Sequence, residues 1–282
     1  MDNPEATLTR NEVQLCLDTG QDFDLFSAVK RPVGAAEHAI GLHVARTVPD
    51  GGTLQIGIGA IGDAVAHALM LRQAGKASAL HAACPFAQDG YTEDASFDKG
   101  LYCVTEMLVD GILRLFEAGI VRRDVDGAAI HAGFFVDCRD FYARLRALPR
   151  KDRDRIRMMP VSFTNQLYGD EPAKRAARRH ARFVNSAMKA TLLGGIVSDI
   201  TSSAQEVSGI GGQFNFVEQA FALVDGRSIL TLPATRRSSG RTVSNILWEH
   251  PHESVPRAYR DIVVTEYGIA DLRGQRDEVA IE

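Results

Sequence analysis

Short apolar runs and stretches of helical spacing alternate along most of this chain. Residues 53–58 read as a buried strand, entered from the turn signal Asp50-Gly51-Gly52. Residues 63–72 read as a helix starting at Asp63. Residues 77–83 form a short apolar segment. Residues 107–118 carry Leu108, Ile112, Leu115 and Phe116 at helical spacing, and Gly119 is a natural stop. Residues 128–136 predict a strand, 139–148 a helix, and 213–223 another helix. Further strands are expected at 156–163, 183–187, 228–232 and 261–265. Residues 1–42 stand apart, mostly polar and acidic and ending in the loop-like Lys30-Arg31-Pro32-Val33-Gly34. Strands that alternate with helices imply an α/β fold with a mainly parallel sheet flanked by helices. In such sheets, ligands bind beyond the carboxyl ends of the strands.

Composition removes several classes of protein. The 282 residues are 45% hydrophobic and 24% charged, an ordinary globular mixture for one large domain or two small ones. No apolar run approaches the ~18 residues of a membrane span. The start, Met1-Asp2-Asn3-Pro4-Glu5, lacks the basic and apolar regions of a secretory signal. A net charge of -4 argues against a general nucleic-acid binder. The charge is uneven, however: twelve Lys or Arg against four Asp or Glu lie between Arg144 and Arg182. That stretch is either a solvated, salt-bridged surface or a site for a phosphorylated small molecule. Cys16, Cys84, Cys103 and Cys138 are widely spaced with no CxxC pair. They read as free thiols in a reducing cytoplasm rather than as a zinc or thioredoxin-type motif.

Two glycine clusters carry candidate chemistry. Gly57-Ile58-Gly59-Ala60-Ile61-Gly62 has GxGxxG spacing, follows a strand and opens a helix. Glycines there let backbone approach a ligand, and the helix start offers free N–H groups to an anion. A dinucleotide site needs an acidic residue ~20 positions on. The segment ending at Cys84-Pro85 supplies none, and Asp89 comes late. Nicotinamide or flavin binding, a structural turn, and another anionic ligand all remain open at this point. Gly209-Ile210-Gly211-Gly212-Gln213 precedes a second helical pattern. No Gly-x-Ser-x-Gly elbow and no His-Glu-x-x-His is present. The eight histidines show no ligand spacing, and His250 and His252 read as surface residues in a loop. Glu106 follows the apolar Leu101-Tyr102-Cys103-Val104-Thr105 and precedes a helix. A carboxylate there is a candidate nucleophile or general base, or simply a partner for the helix dipole. Glu266 occupies an analogous place and is its local competitor.

Several longer stretches together resemble the acetyl-CoA hydrolase/transferase family, which includes 4-hydroxybutyrate and succinyl-CoA:acetate CoA-transferases. They are Asp50 to Ile61, Thr105-Glu106-Met107-Leu108-Val109-Asp110-Gly111, Val184-Asn185-Ser186-Ala187, Gly209 to Gln213, and Val263 to Gly274. The resemblance runs in family order from about residue 38 to the end. It implies a CoA-transferase-type α/β fold made of two similar halves. This chain is then the C-terminal half (43–282), with 1–42 a connector or the tail of an N-terminal half, and a terminal helical segment would be expected beyond 276–282.

Carried over by residue, Glu106 matches the family's nucleophilic glutamate. Gly57, Ile58, Gly59, Ala60 and Ile61 would contact CoA and help form an oxyanion hole. Asn185, Gln205 and Gly209 align with further CoA-contacting positions, and a basic residue near Arg227 would meet the nucleotide phosphates. The implied substrates are an acyl-CoA and a small carboxylate, with CoA as substrate and no permanent cofactor or metal. A homodimer or a separate N-terminal half is the expected partner. The chain departs from the family pattern at Gly62 (usually Pro), at Val104-Thr105 (usually His-Ser), and at Lys189 and Thr191 (usually acidic). Residues 84–99 read as an insertion. The alternatives are a CoA-binding module without catalysis and a nucleotide-binding oxidoreductase built on the GxGxxG loop.

Overall fold

The computed structural model describes residues 7–21, 23–86 and 90–282. Asp89 and the Met1–Glu5 start lie outside the described residues. The first half of the fold comprises α1 (Ala35–Ala45), β1 (Thr53–Ile56), α2 (Ala60–Gln73), α3 (Ala77–Ala82), β2 (Tyr102–Leu108), α4 (Asp110–Glu117), β3 (Ile130–Phe135), α5 (Arg139–Ala147), α6 (Arg150–Arg153), β4 (Ile156–Met158), α7 (Val161–Asn165) and α8 (Glu171–Ala177). The second half has β5 (Ala181–Ser186), β6 (Lys189–Thr191), β7 (Ile196–Val197), α9 (Gln213–Ala222), β8 (Arg227–Thr231), β9 (Thr235–Ser238), β10 (Arg241–Ser244), β11 (Ile246–Leu247), β12 (Ile262–Thr265), β13 (Gly268–Asp271) and α10 (Asp277–Ile281).

Eight strands form one sheet in the order β13-β12-β8-β5-β1-β2-β3-β4. All neighbours are parallel except the edge pair β12 and β13. From β1 the chain winds outward through β2, β3 and β4, then returns to lay β5 on the other side of β1. The direction of winding therefore reverses between β1 and β5, and a crevice opens there at the carboxyl ends. Both faces of the sheet are covered, as parallel sheets require. On one face Leu54 and Ile56 of β1 pack with Ile40 and Val44 of α1, Val65 and Leu69 of α2, and Ile112 of α4. On the other, Val104 of β2 and Phe183 of β5 pack against Phe216 and Ala220 of α9. No helix among the described residues is long and apolar enough to cross a membrane.

Several element boundaries differ from the sequence reading, each for a local reason. The apolar segment 77–83 is the helix α3, so the strand after β1 is β2. That strand runs on through Leu108, because Met107 and Leu108 pair with Phe134 and Phe135 of β3. The helix expected from 107 therefore begins at Asp110. The strand expected over 156–163 stops at Met158, since Pro160 caps a short helix that a strand cannot contain. Helix α2 starts three residues earlier than Asp63, with Gly59 capping it at φ +124°, a conformation that side chains rarely adopt. The antiparallel edge β13, the β9–β10 hairpin and the three-stranded sheet β11-β6-β7 carried no clear signal in the sequence.

Helix α1 spans the expected boundary between residues 42 and 43, and it buries Ile40, Val44 and Ala45 in the main core. It lies so close to α2 that a Cβ at Gly41 would sit 2.6 Å from the Ala64 carbonyl oxygen. The segment ahead of α1 leaves Leu15, Leu17, Phe23, Phe26 and Val29 exposed. It is anchored where Lys30 Nζ meets Asp63 at 2.8 Å and Asp137 at 3.1 Å. Residues of the 84–99 stretch pack against α2 and α3: Arg72 of α2 donates to the Ala95 carbonyl at 2.7 Å, and His81 of α3 meets Asp94 at 2.6 Å.

Candidate active site

The crevice between β1 and β5 holds a cleft of about 270 Å³. Its floor is built from strand ends. Gln55, near the end of β1, and Asn185, near the end of β5, face each other and exchange amide hydrogen bonds of 3.2 and 3.3 Å. This reciprocal pair uses one N–H and one oxygen lone pair of each amide, leaving the second N–H of Asn185 for a ligand. The chain leaves β1 as the loop Gly57-Ile58-Gly59. Gly57 donates its N–H to the Val184 carbonyl at 3.1 Å, which fixes the loop against β5. Gly62 completes the turn because a Cβ there would lie 2.2 Å from the Gly57 oxygen. The N–H groups of the first turn of α2 have no carbonyl of their own helix to meet.

Glu106 projects from β2 into the same cleft. It sits two residues before the strand ends, inside β2 rather than at the strand-to-helix junction. Its Oε2 accepts a hydrogen bond of 2.8 Å from Asn165 Nδ2. Asn165 is buried at the end of α7, and its own Oδ1 accepts from Thr164 Oγ1 at 2.9 Å. The amide is thereby held with its N–H toward the carboxylate. Opposite it, Gly212 approaches so closely that a Cβ would fall 1.8 Å from Glu106 Oε2 and 2.5 Å from Asn165 Nδ2. Gly212 caps α9, and Gln213 begins it by donating Nε2 to the Ser186 carbonyl at 2.9 Å. The two glycine clusters thus face each other across Glu106, one opening α2 and the other opening α9.

The expected site residues divide cleanly. Glu106, Gly57, Ile58, Asn185 and Gly209 line this one cleft. Gly59 and Ala60 form the start of α2 outside it, and Ile61 is buried in the main core. Gln205 lies exposed in the loop before α9, where its backbone N–H donates to Thr201 Oγ1 at 3.1 Å, and it does not line the cleft. Arg227 is a clear correction. It opens β8 at the amino end of the sheet, away from the cleft, and its guanidinium is neutralised by Asp261 at 2.7 Å and by Asp271. Glu266 is also placed elsewhere: it sits in the β12–β13 turn, and its Oε2 accepts the Ala234 N–H at 2.7 Å.

The basic stretch 144–182 is largely committed to structure. Arg144 pairs with Asp110 at 2.7 Å and with Glu117 at 2.8 Å. Lys174 and Arg178 are buried and donate to the Gln166 carbonyl at 3.1 and 3.2 Å. Asn165 and Gln55 were not among the expected site residues, and Gly212 and Gln213 were read only as part of the second glycine cluster. The fragment Met159-Pro160-Val161-Ser162 held the clue to Asn165, since the proline marks a helix start at the strand's end.

The dinucleotide reading does not survive the topology. Such a site needs its acid ~20 residues past the loop, where the chain here is the helix 77–82, and Glu106, which β2 brings into the cleft much later in the chain, is bonded to Asn165. All four cysteines are free, and burial pushes the Cys103 thiol up from its ordinary value. Among the described residues, no group of three or more His, Cys, Asp or Glu is arranged to hold a metal ion.

The chain is 27% identical over 248 residues to the 4-hydroxybutyrate coenzyme A transferase of Clostridium kluyveri, covering 86% of this chain and 49% of that protein. It is 28% identical over 284 residues to the succinyl-CoA:cyclohexane-1-carboxylate CoA transferase of Geobacter metallireducens, covering 97% and 56%. The chain thus spans about half the length of the curated relatives it matches. Among solved structures, 4-hydroxybutyrate CoA-transferase from Porphyromonas gingivalis superposes with a TM-score of 0.62 at 26% identity, over 90% of this chain and 52% of that one. RipA from Yersinia pestis shares the fold with a TM-score of 0.69 at 24% identity, over 91% and 50%. Residues 138–282 match the model of the acetyl-CoA hydrolase/transferase C-terminal domain, and the chain belongs to the acetyl-CoA hydrolase/transferase family.

Proposed function

We propose that this chain carries the catalytic glutamate of an acyl-CoA:carboxylate CoA-transferase or acyl-CoA hydrolase, working through a glutamyl-CoA thioester on Glu106. The observation that carries the reading is Glu106 in a cleft at the winding reversal, bonded by Asn165 and flanked by two glycine loops. Ionised Glu106 attacks the acyl-CoA carbonyl and expels CoA thiolate, leaving an acyl-glutamyl anhydride. The thiolate then attacks the glutamyl carbonyl, releasing the acyl group as a carboxylate and forming the glutamyl-CoA thioester. An acceptor carboxylate attacks that thioester, thiolate leaves again, and its attack on the acceptor's carbonyl returns free Glu106 and a new acyl-CoA. Water in place of the acceptor gives net hydrolysis.

Each anhydride keeps the thioester's free energy, so the steps need neither ATP nor a resident metal or cofactor. Asn165 donates to one carboxylate oxygen and leaves the other to attack. Backbone N–H groups at the start of α9, which lines the cleft beside Glu106, suit the oxyanion that forms in each addition, a contribution worth roughly 3 kcal/mol per donor. CoA would lie along Gly57, Ile58, Asn185 and Gly209. The free thiols suit a reducing cytoplasm.

Intact-mass spectrometry after mixing with propionyl-CoA tests the proposal. The expected result is a CoA-sized adduct, cleaved by hydroxylamine and absent in Glu106→Gln. CoA binding without an adduct would leave the chain a binding module, and neither adduct nor binding would overturn the reading.

We further infer that the chain works beside a second α/β half, either another copy or a separate N-terminal half. The relatives are about twice as long, and the segment before α1 leaves Leu15, Leu17, Phe23 and Phe26 uncovered. Light scattering at micromolar concentration is expected to report self-association, or a complex once the other half is added. A monodisperse monomer under both conditions contradicts this.

A further inference from the structure

The chain that forms the cleft floor continues into the small sheet β11-β6-β7. Asn185 and Ser186 line the cleft, and Lys189 opens β6 three residues later. Across the strand pair Lys189 faces Val197, whose neighbour Ser198 lines the cleft again. Lys189 therefore stands at the rim, within about 10 Å of chain from Ser186. It is one of the positions where this chain departs from the family's usual acid, so its role has to be read from its own surroundings.

Those surroundings are cationic. Lys189 Nζ lies 3.2 Å from His250 Nε2. His250 Nδ1 lies 2.6 Å from the His252 carbonyl oxygen, which can only accept. The His252 N–H also lies 3.3 Å from Nδ1, so the His252 backbone holds the ring while Nε2 faces the lysine. His250 is thus no free surface histidine but a strut that holds Lys189 in place. From the β9–β10 hairpin comes Arg236, whose guanidinium donates to Asn245 Oδ1 at 2.6 Å and to the Ser244 carbonyl at 3.2 Å. Asn245 is itself buried and donates to the Pro233 carbonyl at 2.8 Å, while its own carbonyl takes the Ala190 N–H at 3.0 Å. Arg236 is in this way tied to β6.

Among the described residues, neither Lys189 nor Arg236 has a carboxylate within ion-pairing distance. Glu249 and Glu253 flank the two histidines in sequence but pair with neither cation, and Glu266 is engaged by Ala234. Burial and the nearby Arg236 charge hold the Lys189 ammonium below its ordinary range. Tied to adjoining residues through Asn245, the two cations are near enough for their charges to repel, and a bound anion relieves both.

We propose that Lys189 and Arg236, with His250 as the strut, form an anion subsite at the rim of the cleft that binds a second negative group of the acyl-CoA. This rests on the CoA-transferase reading only for the identity of the ligand. That group is either a phosphate of CoA or the distal carboxylate of a dicarboxylic acyl chain. The shared chemistry is an oxyanion accepting N–H donors from both cations.

Calorimetry with inorganic pyrophosphate tests the subsite without assuming any activity. The wild-type protein is expected to bind it, and Lys189→Gln and Arg236→Gln are each expected to weaken binding at least about tenfold, the usual cost of a charge-assisted hydrogen bond. Circular dichroism checks the fold of both variants. No binding to wild type, or equal binding to all three proteins, overturns the subsite. Pyrophosphate binding that the variants lose, without any CoA adduct on the wild type, keeps the subsite and sinks the function.

Rates of adduct formation then separate the two sources. A fall in the variants with succinyl-CoA but not with propionyl-CoA assigns the subsite to the distal carboxylate. An equal fall with both assigns it to a CoA phosphate.

Discussion

Glu106→Asp is expected to lower the rate of CoA-adduct formation by at least about 10²-fold while leaving CoA affinity within about threefold of wild type. Glu106→Gln is expected to lower it by on the order of 10⁴-fold or more, to the limit of detection. The difference between the two follows from geometry. Aspartate keeps the charge but retracts the carboxylate by one carbon–carbon bond, about 1.5 Å. The retracted oxygen leaves the 2.8 Å bond to Asn165 Nδ2, so the amide no longer fixes which oxygen faces the thioester. Because attack requires atoms near 3–3.5 Å in the right alignment, a displacement of that size costs much of the positioning advantage. Glutamine keeps the length and can still hydrogen-bond Asn165, but it cannot form an anhydride. Stopped-flow or quenched-flow measurement of the adduct, alongside calorimetry with free CoA, reads both quantities. If Glu106→Asp reacts as fast as wild type, the nucleophile is not held as described. If both variants lose CoA affinity instead, Glu106 serves binding rather than chemistry.

How legible the site was depends on whether a residue's role is encoded locally. The glycine loop after β1 was readable because a strand, a GxGxxG spacing and a helix follow one another within about ten residues. Glu106 was readable as a strand-end carboxylate, although the exact end was misjudged. The pairing that extends β2 through Leu108 comes from β3, twenty-seven residues away, and no local pattern announces it. The alternating strands and helices gave the parallel sheet, but not the antiparallel β13, which is only four residues long. Asn165 escaped because its role depends on two facts distant in sequence. Helix α7 must end beneath β2, and its amide must meet a carboxylate fifty-nine residues earlier. Arg227 failed for the opposite reason. A basic residue beside a strand is plausible phosphate chemistry until the strand's direction is known, and β8 carries it at the wrong end. Conversely, His250 looked like a surface residue, and only the fold brings Lys189 to its ring.

The second large effect is expected from the smallest change. Gly212→Ala should lower the rate of adduct formation by about 10²-fold or more while lowering unfolding stability by no more than about 1–3 kcal/mol, the cost of leaving the buried Asn165 donor unpaired. Gly212 has φ -83°, an ordinary value for alanine, so the backbone accepts the substitution without strain. The conflict lies entirely in what the new methyl meets. It would fall 1.8 Å from Glu106 Oε2 and 2.5 Å from Asn165 Nδ2, far inside contact distance. The Glu106 carboxylate is the free end of a flexible side chain, so it yields rather than the fold. In turning away it breaks the Asn165 bond and leaves the line of attack. The methyl also occupies the space at the start of α9 where an oxyanion would meet backbone N–H groups. Thermal unfolding and the adduct rate, measured on the same preparation, give the two halves of the result. A large loss of stability would mean that α9 moves instead of Glu106. An unchanged rate would mean that the carboxylate reacts from a position away from Gly212, and the two glycine clusters would then lose their joint claim on the reaction.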